Sequence, residues 1–370
     1  MRNRILVTLA ISLLAPCLHA PAQDSAQSAA TIKIKVNEVV LPVIVRDKHG
    51  ALVTSLKASD FTLTEDTRPQ VIKSFTRESN LPYKMGLLVD TSRSLSEALE
   101  SERKAAGNFV DKMLPATPNA VPDQMFLIHF DREVELLEDF TTAREKLHHE
   151  LEEMGPTRQG QNDSQGPETS RDDRDHSRGG KGGTQLYDAI YLASDELMRS
   201  QTGRKALVVF SDGVDRGSKD TLNDAVDAAD RANVVVYTIY FKGEQEHGGG
   251  MPGMGGGHHG GGGYPGGGGG YPGGSGGGGG RDEKKEAADG KKTMTEIATR
   301  TGGRFFEAKN KGNLDEIYAQ IAEELRGQYL LTYTPDKPDT EGGYHKIALK
   351  ANNDSMVVVT REGYYGSLDK

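Results

Sequence analysis

The reading of this chain turns on Lys84-Met85-Gly86-Leu87-Leu88-Val89-Asp90-Thr91-Ser92-Arg93-Ser94. Its first half is a dense apolar run with no polar residue between Met85 and Val89. A half-buried strand would alternate, so an unbroken run of this length predicts a strand covered on both faces. The run stops at an acid, Asp90, and the next residues place hydroxyls at Ser92 and Ser94. Spacing by two lets three short side chains enter one concavity while the backbone turns away from the strand. Beyond it, Leu99, Ala105, Phe109, Val110 and Met113 recur at helical spacing over residues 96–114.

The same alternation of element types continues toward the C-terminus. Apolar strands are predicted in DQMFLIHFD (123–131), VELLEDF (134–140), RKALVVFSDG (204–213), NVVVYTIYF (233–241) and RFFEA (304–308). Helical patterns fall between them at 142–153, in TQLYDAIYLASDELMRS, at 219–231, in KKTMTEIATRTGG with Gly302 at its end, and at 312–326. Strands of continuous apolar character separated by amphipathic helices imply an α/β fold, a doubly wound and mostly parallel sheet with helices on both faces. The expected extent of this domain is residues 83–328.

In a parallel sheet the carboxyl ends of the strands share one edge, where such folds place their ligands. Two further oxygen donors are expected there: Thr184, after Gly182-Gly183 and just before a helix, and Asp212, in FSDG directly after a buried strand. Asp90, Ser92, Ser94, Thr184 and Asp212 form a set of hard oxygen ligands. Such a set suits Mg²⁺ or Mn²⁺, with some groups acting through water. The absence of convergent His or Cys argues against zinc. With some of these groups acting through water, too little charge reaches the ion directly to neutralise it fully, which leaves a coordination position for an acidic group from a partner.

The set DTSRS, GGT and SDG resembles the metal-ion-dependent adhesion site of von Willebrand factor A domains. The resemblance covers residues 83–328. It implies a Rossmann-like sheet in which Ser92, Ser94 and Thr184 contact the metal while Asp90 and Asp212 lie close by, directly or through water. It also implies protein binding in which a partner carboxylate completes the metal shell. The flanks, LPVIVRDKHGALVTSLKASDFTLTED before the domain and YLLTYTPDKPDTEGGYHKIALK with REGYY after it, are similar to a bacterial group of exported "VWFA-related domain" proteins common in acidobacteria.

Residues 31–80 alternate or turn at short intervals and predict a small β module. QYLLTYTP, YHKIALKA and MVVVTREGYY predict a C-terminal β segment over 329–366. These strands either complete a sheet with residues 31–80 or stand as a separate appendage. Two stretches hold almost nothing to bury: the polar run 157–181 and the glycine-dominated run 243–280. Both are expected to emerge on the ligand-bearing edge, as modulators of access or as insertions that a surface tolerates. His258 and His259 offer a weak metal-binding pair, and Tyr264 and Tyr271 are contact points or spacers.

Residues 1–22 read as a signal peptide, with Arg2 and Arg4, an apolar run from Ile5 to Ala15, and Ala20-Pro21-Ala22 before Gln23. Export to the periplasm or cell exterior is the expectation. Cys17, the one cysteine, lies in the segment to be removed, so the mature chain holds no disulfide or thiolate. A lipoprotein reading of LAPC is disfavoured by Pro16. The net charge of -9 speaks against a nucleic-acid binder. Phosphate-loop and dinucleotide fingerprints are absent.

Among single residues, His129 within FLIHF is read as a hydrogen-bonded histidine of the sheet, and Asp131 as a structural residue near the site. Asp215 and Ser218, after the SDG turn, either help orient the site or cap the following helix, and Ser218, three residues before Thr221, is read as the cap. No catalytic set assembles. The sequence thus favours a non-enzymatic, metal-dependent protein-binding module of the cell envelope or exterior. The alternatives are a Mg²⁺-dependent hydrolase acting through bound water, or a structural envelope protein with a stabilising metal. Against the hydrolase, Ser92 stands where aspartyl-phosphate enzymes carry a second acid.

Overall fold

Successive residues of the Met85–Val89 run face opposite ways and are equally buried. Leu87 and Val89 join one apolar cluster and Leu88 another, which is why the run shows no polar alternation. The computed structural model describes residues 38–77, 81–115, 122–156, 183–242, 279–337 and 342–366. All of these belong to one unit, Asn37–Lys370. The expected signal peptide, Cys17, the polar run 157–181, the glycine-dominated run apart from its last two residues, Gly279 and Gly280, and the residues singled out in that run lie outside the described residues.

In chain order the strands are β1 (Val39–Asp47), β2 (Phe61–Glu65), β3 (Arg68–Gln70), β4 (Ile72–Thr76), β5 (Tyr83–Asp90), β6 (Gln124–Phe130) and β7 (Val134–Thr141). They continue with β8 (Arg204–Ser211), β9 (Val235–Phe241), β10 (Phe305–Ala308), β11 (Tyr329–Tyr333), β12 (Tyr344–Ala351), β13 (Met356–Val359) and β14 (Gly363–Tyr365). The helices are α1 (Leu99–Met113), α2 (Arg144–Glu153), α3 (Leu186–Leu192), α4 (Leu222–Arg231), α5 (Gly279–Thr301) and α6 (Leu314–Gly327). A π-helical stretch, Ala193–Met198, prolongs α3. No helix among the described residues is long and apolar enough to cross a membrane.

The central sheet has six strands in the order β10-β9-β8-β5-β6-β7. Its pairings are parallel except at the β7 edge, which runs antiparallel to β6. Helices α1, α2 and α6 contribute to the apolar cluster on one face, and α3, α4 and α5 to that on the other. The fold is therefore α/β and doubly wound. The chain leaves β5 toward β6 on one side and later returns to place β8 on its other side. The order reverses between β5 and β8, so their carboxyl ends flank the switch point where such sheets hold ligands.

Two four-stranded sheets flank it, in the orders β13-β1-β11-β4 and β14-β12-β2-β3. Each combines strands from both ends of the chain: Val39 stands opposite Tyr333 and Leu63 opposite Leu349. Leu41, Val43, Leu63, Leu331 and Ile347 lie in one apolar cluster shared by the two sheets. Buried polar contacts tie this sandwich to the central sheet. The Arg46 guanidinium meets Glu324 of α6 at 2.5 Å. Arg361 donates to Asn233 Oδ1 at 2.7 Å and to the Val40 carbonyl at 2.9 Å.

Candidate metal site

Asp90 ends β5 with no exposed surface. Its Oδ1 accepts the Ser92 amide at 2.9 Å and its Oδ2 accepts the Ser211 hydroxyl at 2.7 Å. Neither donor is cationic. Burial above all, and then the neighbouring Asp212 carboxylate, push the Asp90 carboxyl up to about 7. Because the backbone folds over the Asp90 carboxylate in this way, the chain turns and brings Ser92 and Ser94 to the same side. Their Oγ atoms lie 3.1 Å apart, and Ser94 Oγ donates to Asp212 Oδ2 at 2.8 Å.

Asp212 follows β8 in a turn that local chemistry fixes. Its Oδ1 accepts the Val214 amide at 3.0 Å, and the Gly213 amide donates to Ser211 Oγ at 2.9 Å. Gly213 has a positive φ of 72°, a conformation that a side chain resists. A Cβ there would also overlap the backbone of Gly290 in α5. Three oxygens from two strand ends thus form a connected run, Ser92–Ser94–Asp212, above a buried carboxyl.

Thr184 reaches this edge through its backbone. Its carbonyl accepts the amides of Arg216 at 3.0 Å and Gly217 at 3.2 Å, and the next amide, from Gln185, donates to the Asp131 carbonyl at 2.9 Å. The loop before α3 is therefore pinned to the loops that follow β8 and β6. A further amide bond, Thr91 to the Phe130 carbonyl at 2.9 Å, joins the β5 and β6 ends. Asp90, Ser92, Ser94 and Asp212 are joined by side-chain contacts, and Thr184 is held beside the same loops by main-chain bonds.

One sequence expectation changes here. Ser218 does not cap α4. Thr221 does, in a reciprocal capping box with Asp224. Ser218 Oγ instead accepts the Tyr187 and Asp188 amides, each at 3.1 Å, and donates to Asp215 Oδ1 at 2.5 Å. It caps α3, the helix that follows Thr184, from across the fold. In return the Asp188 carboxylate accepts the Lys219 and Asp220 amides at 2.9 Å. Proximity along the chain suggested the wrong helix because the orphan amides of α3 lie nearer in space than those of α4.

Sequence reasoning missed Asp188, whose acid in the first helical turn carries no local signature. It also passed over Ser211, although the serine before Asp212 in FSDG was a visible signal. His129 is a hydrogen-bonded residue of the sheet as expected: its Nδ1 lies 3.3 Å from Thr91 Oγ1 and its Nε2 2.9 Å from Glu135 Oε2.

Oxygen donors gathered at the switch point of a doubly wound sheet define a class of ligand-holding α/β domains. A family model described as von Willebrand factor type A domain matches residues 85–214, and the chain carries a domain of that superfamily. No curated protein sequence matches. Among solved structures, the proximal thread matrix protein 1 of the mussel byssus is 11% identical over 71% of this chain and 51% of its own, with a TM-score of 0.44. This chain thus spans about half the length of that protein, another structure of which has a zinc-occupied MIDAS motif. BatB from Bacteroides thetaiotaomicron is 14% identical over 66% of this chain and 99% of its own, with a TM-score of 0.40. The vWF domain of the type V pili tip protein Mfa5 from Porphyromonas gingivalis is 13% identical over 66% and 95%, with a TM-score of 0.42.

Proposed function

We propose that this chain is a metal-dependent protein-binding module of the cell envelope or exterior, without catalytic activity of its own. The observation that carries the reading is the hydrogen-bonded run Ser92–Ser94–Asp212, which gathers three hard oxygen donors from the ends of β5 and β8. In this reading Ser92, Ser94, Thr184 and Asp212 surround one Mg²⁺ or Mn²⁺. Asp90 supports them from below, holding the Ser92 backbone and contributing negative charge through the shell. The donor set suits such an ion, being all oxygen with two carboxylates. The ion would supply a positive charge able to attract a carboxylate. The protein residues keep its donors together and leave one side for an Asp or Glu of a protein ligand.

Calorimetric titration of Mg²⁺ and Mn²⁺ into wild type and Asp212→Ala tests the site. One-to-one binding by wild type, with a raised melting temperature through linkage and at least about tenfold weakening in the variant, is the expected result. No heat and no change in melting temperature in wild type would overturn the reading.

A further inference from the structure

A second cluster of ligand-type side chains lies in the sandwich, on the paired strands β2 and β12. Glu65 ends β2 opposite Ile347, and Asp66 opens the turn into β3. The Asp66 amide donates to the Lys346 carbonyl at 2.8 Å, and the Lys346 amide donates to Asp66 Oδ1 at 2.9 Å. This lock on the strand end brings His345 over both acids. Its Nδ1 lies 2.9 Å from Asp66 Oδ2 and 3.7 Å from Glu65 Oε1. One donor atom from each of the three residues falls within 4.8 Å of the others.

Each carboxylate has one oxygen anchored and the other turned toward the imidazole. Glu65 Oε2 accepts the Tyr333 hydroxyl at 2.6 Å and the Tyr364 hydroxyl at 3.2 Å. Glu65 Oε1 has no hydrogen-bond partner, although the residue is only 1% exposed. A carboxylate oxygen without a hydrogen bond at that depth is costly and favours a cation in direct contact. Arg68 makes only long ion pairs there, 3.6 Å from Glu65 Oε1 and 3.9 Å from Asp66 Oδ2, while its Nε donates to Asp336 at 3.3 Å.

We propose that Glu65, Asp66 and His345 form a site for a transition-metal dication of the Zn²⁺ class, separate from the site at the β5 and β8 ends. Two donors about 2.1 Å from a tetrahedral ion stand about 3.4 Å apart, and the 2.9 and 3.7 Å separations bracket that value. One imidazole nitrogen with two carboxylates favours Zn²⁺ over Mg²⁺ or Ca²⁺, which take oxygen-rich shells. Three protein ligands leave a fourth position for water. The half-buried side chains of Asp66 and His345 give the ion a way in. The tyrosine hydroxyls and the Lys346 amide orient the acids, as outer partners of metal ligands do. The ion replaces the proton that His345 Nδ1 otherwise shares with Asp66, and that proton passes to solvent. Arg68 keeps Asp336 and withdraws from the acids.

The test uses the full chain in the Asp212→Ala background, so that failure of the first site cannot be mistaken for failure of this one. Zn²⁺ is titrated by calorimetry and counted by equilibrium dialysis. The Asp212→Ala chain binds one more equivalent of Zn²⁺ than Asp212→Ala/His345→Ala; His258 and His259 are present in both and cancel. Asp66→Asn weakens the same equivalent by at least about tenfold. Arg68→Gln removes a competing positive charge and tightens it, a gain that a misfolded chain cannot mimic. Equal stoichiometry with and without His345, or no tightening in Arg68→Gln, would overturn the assignment.

Discussion

The central sheet and the flanking sandwich are built from the same chain by opposite rules. Every strand of the six-stranded sheet comes from residues 83–308, and its central strands are apolar on both faces. The sandwich takes β1 to β4 from one end of the chain and β11 to β14 from the other. Its strand β12 shows one buried face: Ile347 and Leu349 are buried while Lys346 and Lys350 are not. A parallel sheet wound with helices can thus be read from successive short segments. An antiparallel sandwich closed by distant strands shows which face is buried but not which strand is the partner.

The difference invites the idea of two independently folding parts, and the largest predicted effect tests it. Phe210 of β8 and Leu331 of β11 are both fully buried, one in each region. Phe210→Ala should cost about 3–5 kcal/mol and Leu331→Ala about 2–5 kcal/mol. The Arg46–Glu324 and Arg361–Asn233 contacts, and the direct passage from α6 into β11, couple the regions. Urea denaturation should therefore show one common transition, shifted to lower denaturant in both variants. A biphasic curve in either would separate the regions.

A smaller effect contrasts two buried glutamates. In the sandwich Glu65 has two tyrosine hydroxyls with Arg68 and His345 nearby. In the central domain, Glu102 of α1 receives the Tyr318 hydroxyl, and its Oε2 is buried without a hydrogen bond. Burial pushes the Glu102 carboxyl up to about 8, against the opposing effect of that hydroxyl. A raised folded-state value means that folding favours the protonated acid. Its contribution to stability is present below the ordinary value of 4.5 and is lost as pH rises through about 8. Glu102→Gln should therefore gain on wild type as pH rises from 5 to 8.5, by up to about 4 kcal/mol. Denaturation at the two pH values measures the gap; a constant gap would mean that Glu102 does not titrate there.

The same contrast explains what the sequence made legible. Apolar runs at Met85–Val89, Ala206–Phe210 and Val234–Val236 predict strands covered on both faces, and the α/β class follows from helices between them. The placement of Asp90 and Asp212 at strand ends was also readable, because Asp90 directly follows such a run and Asp212 comes one residue after another. Pairings such as Val39 with Tyr333 were not, since alternation carries no address. In the brace formed by Asp188, Asp215 and Ser218, the last two stood out in the sequence, but Asp188 and the partners of all three were hidden. Its members are ordinary polar residues whose partners lie about thirty positions away, and only the packed loops bring them together.

That brace gives the finest test, because the chain offers a local cap and a remote cap a few residues apart. Thr221 caps its own helix, α4, while Ser218 caps α3 from another loop. Thr221→Ala and Ser218→Ala should each cost about 1 kcal/mol, as the loss of a cap generally does. Their consequences for the metal should differ. Thr184 lies two residues before α3 and is held by the loop that contains Arg216 and Gly217. Loosening Ser218 loosens that joint, so Ser218→Ala should weaken Mg²⁺ binding several-fold, whereas Thr221→Ala should leave it unchanged. Matched melting temperatures with divergent Mg²⁺ titrations would show that the remote cap positions the site. Equal Mg²⁺ affinities would reduce Ser218 to a helix cap and leave the placement of Thr184 to the backbone bonds alone.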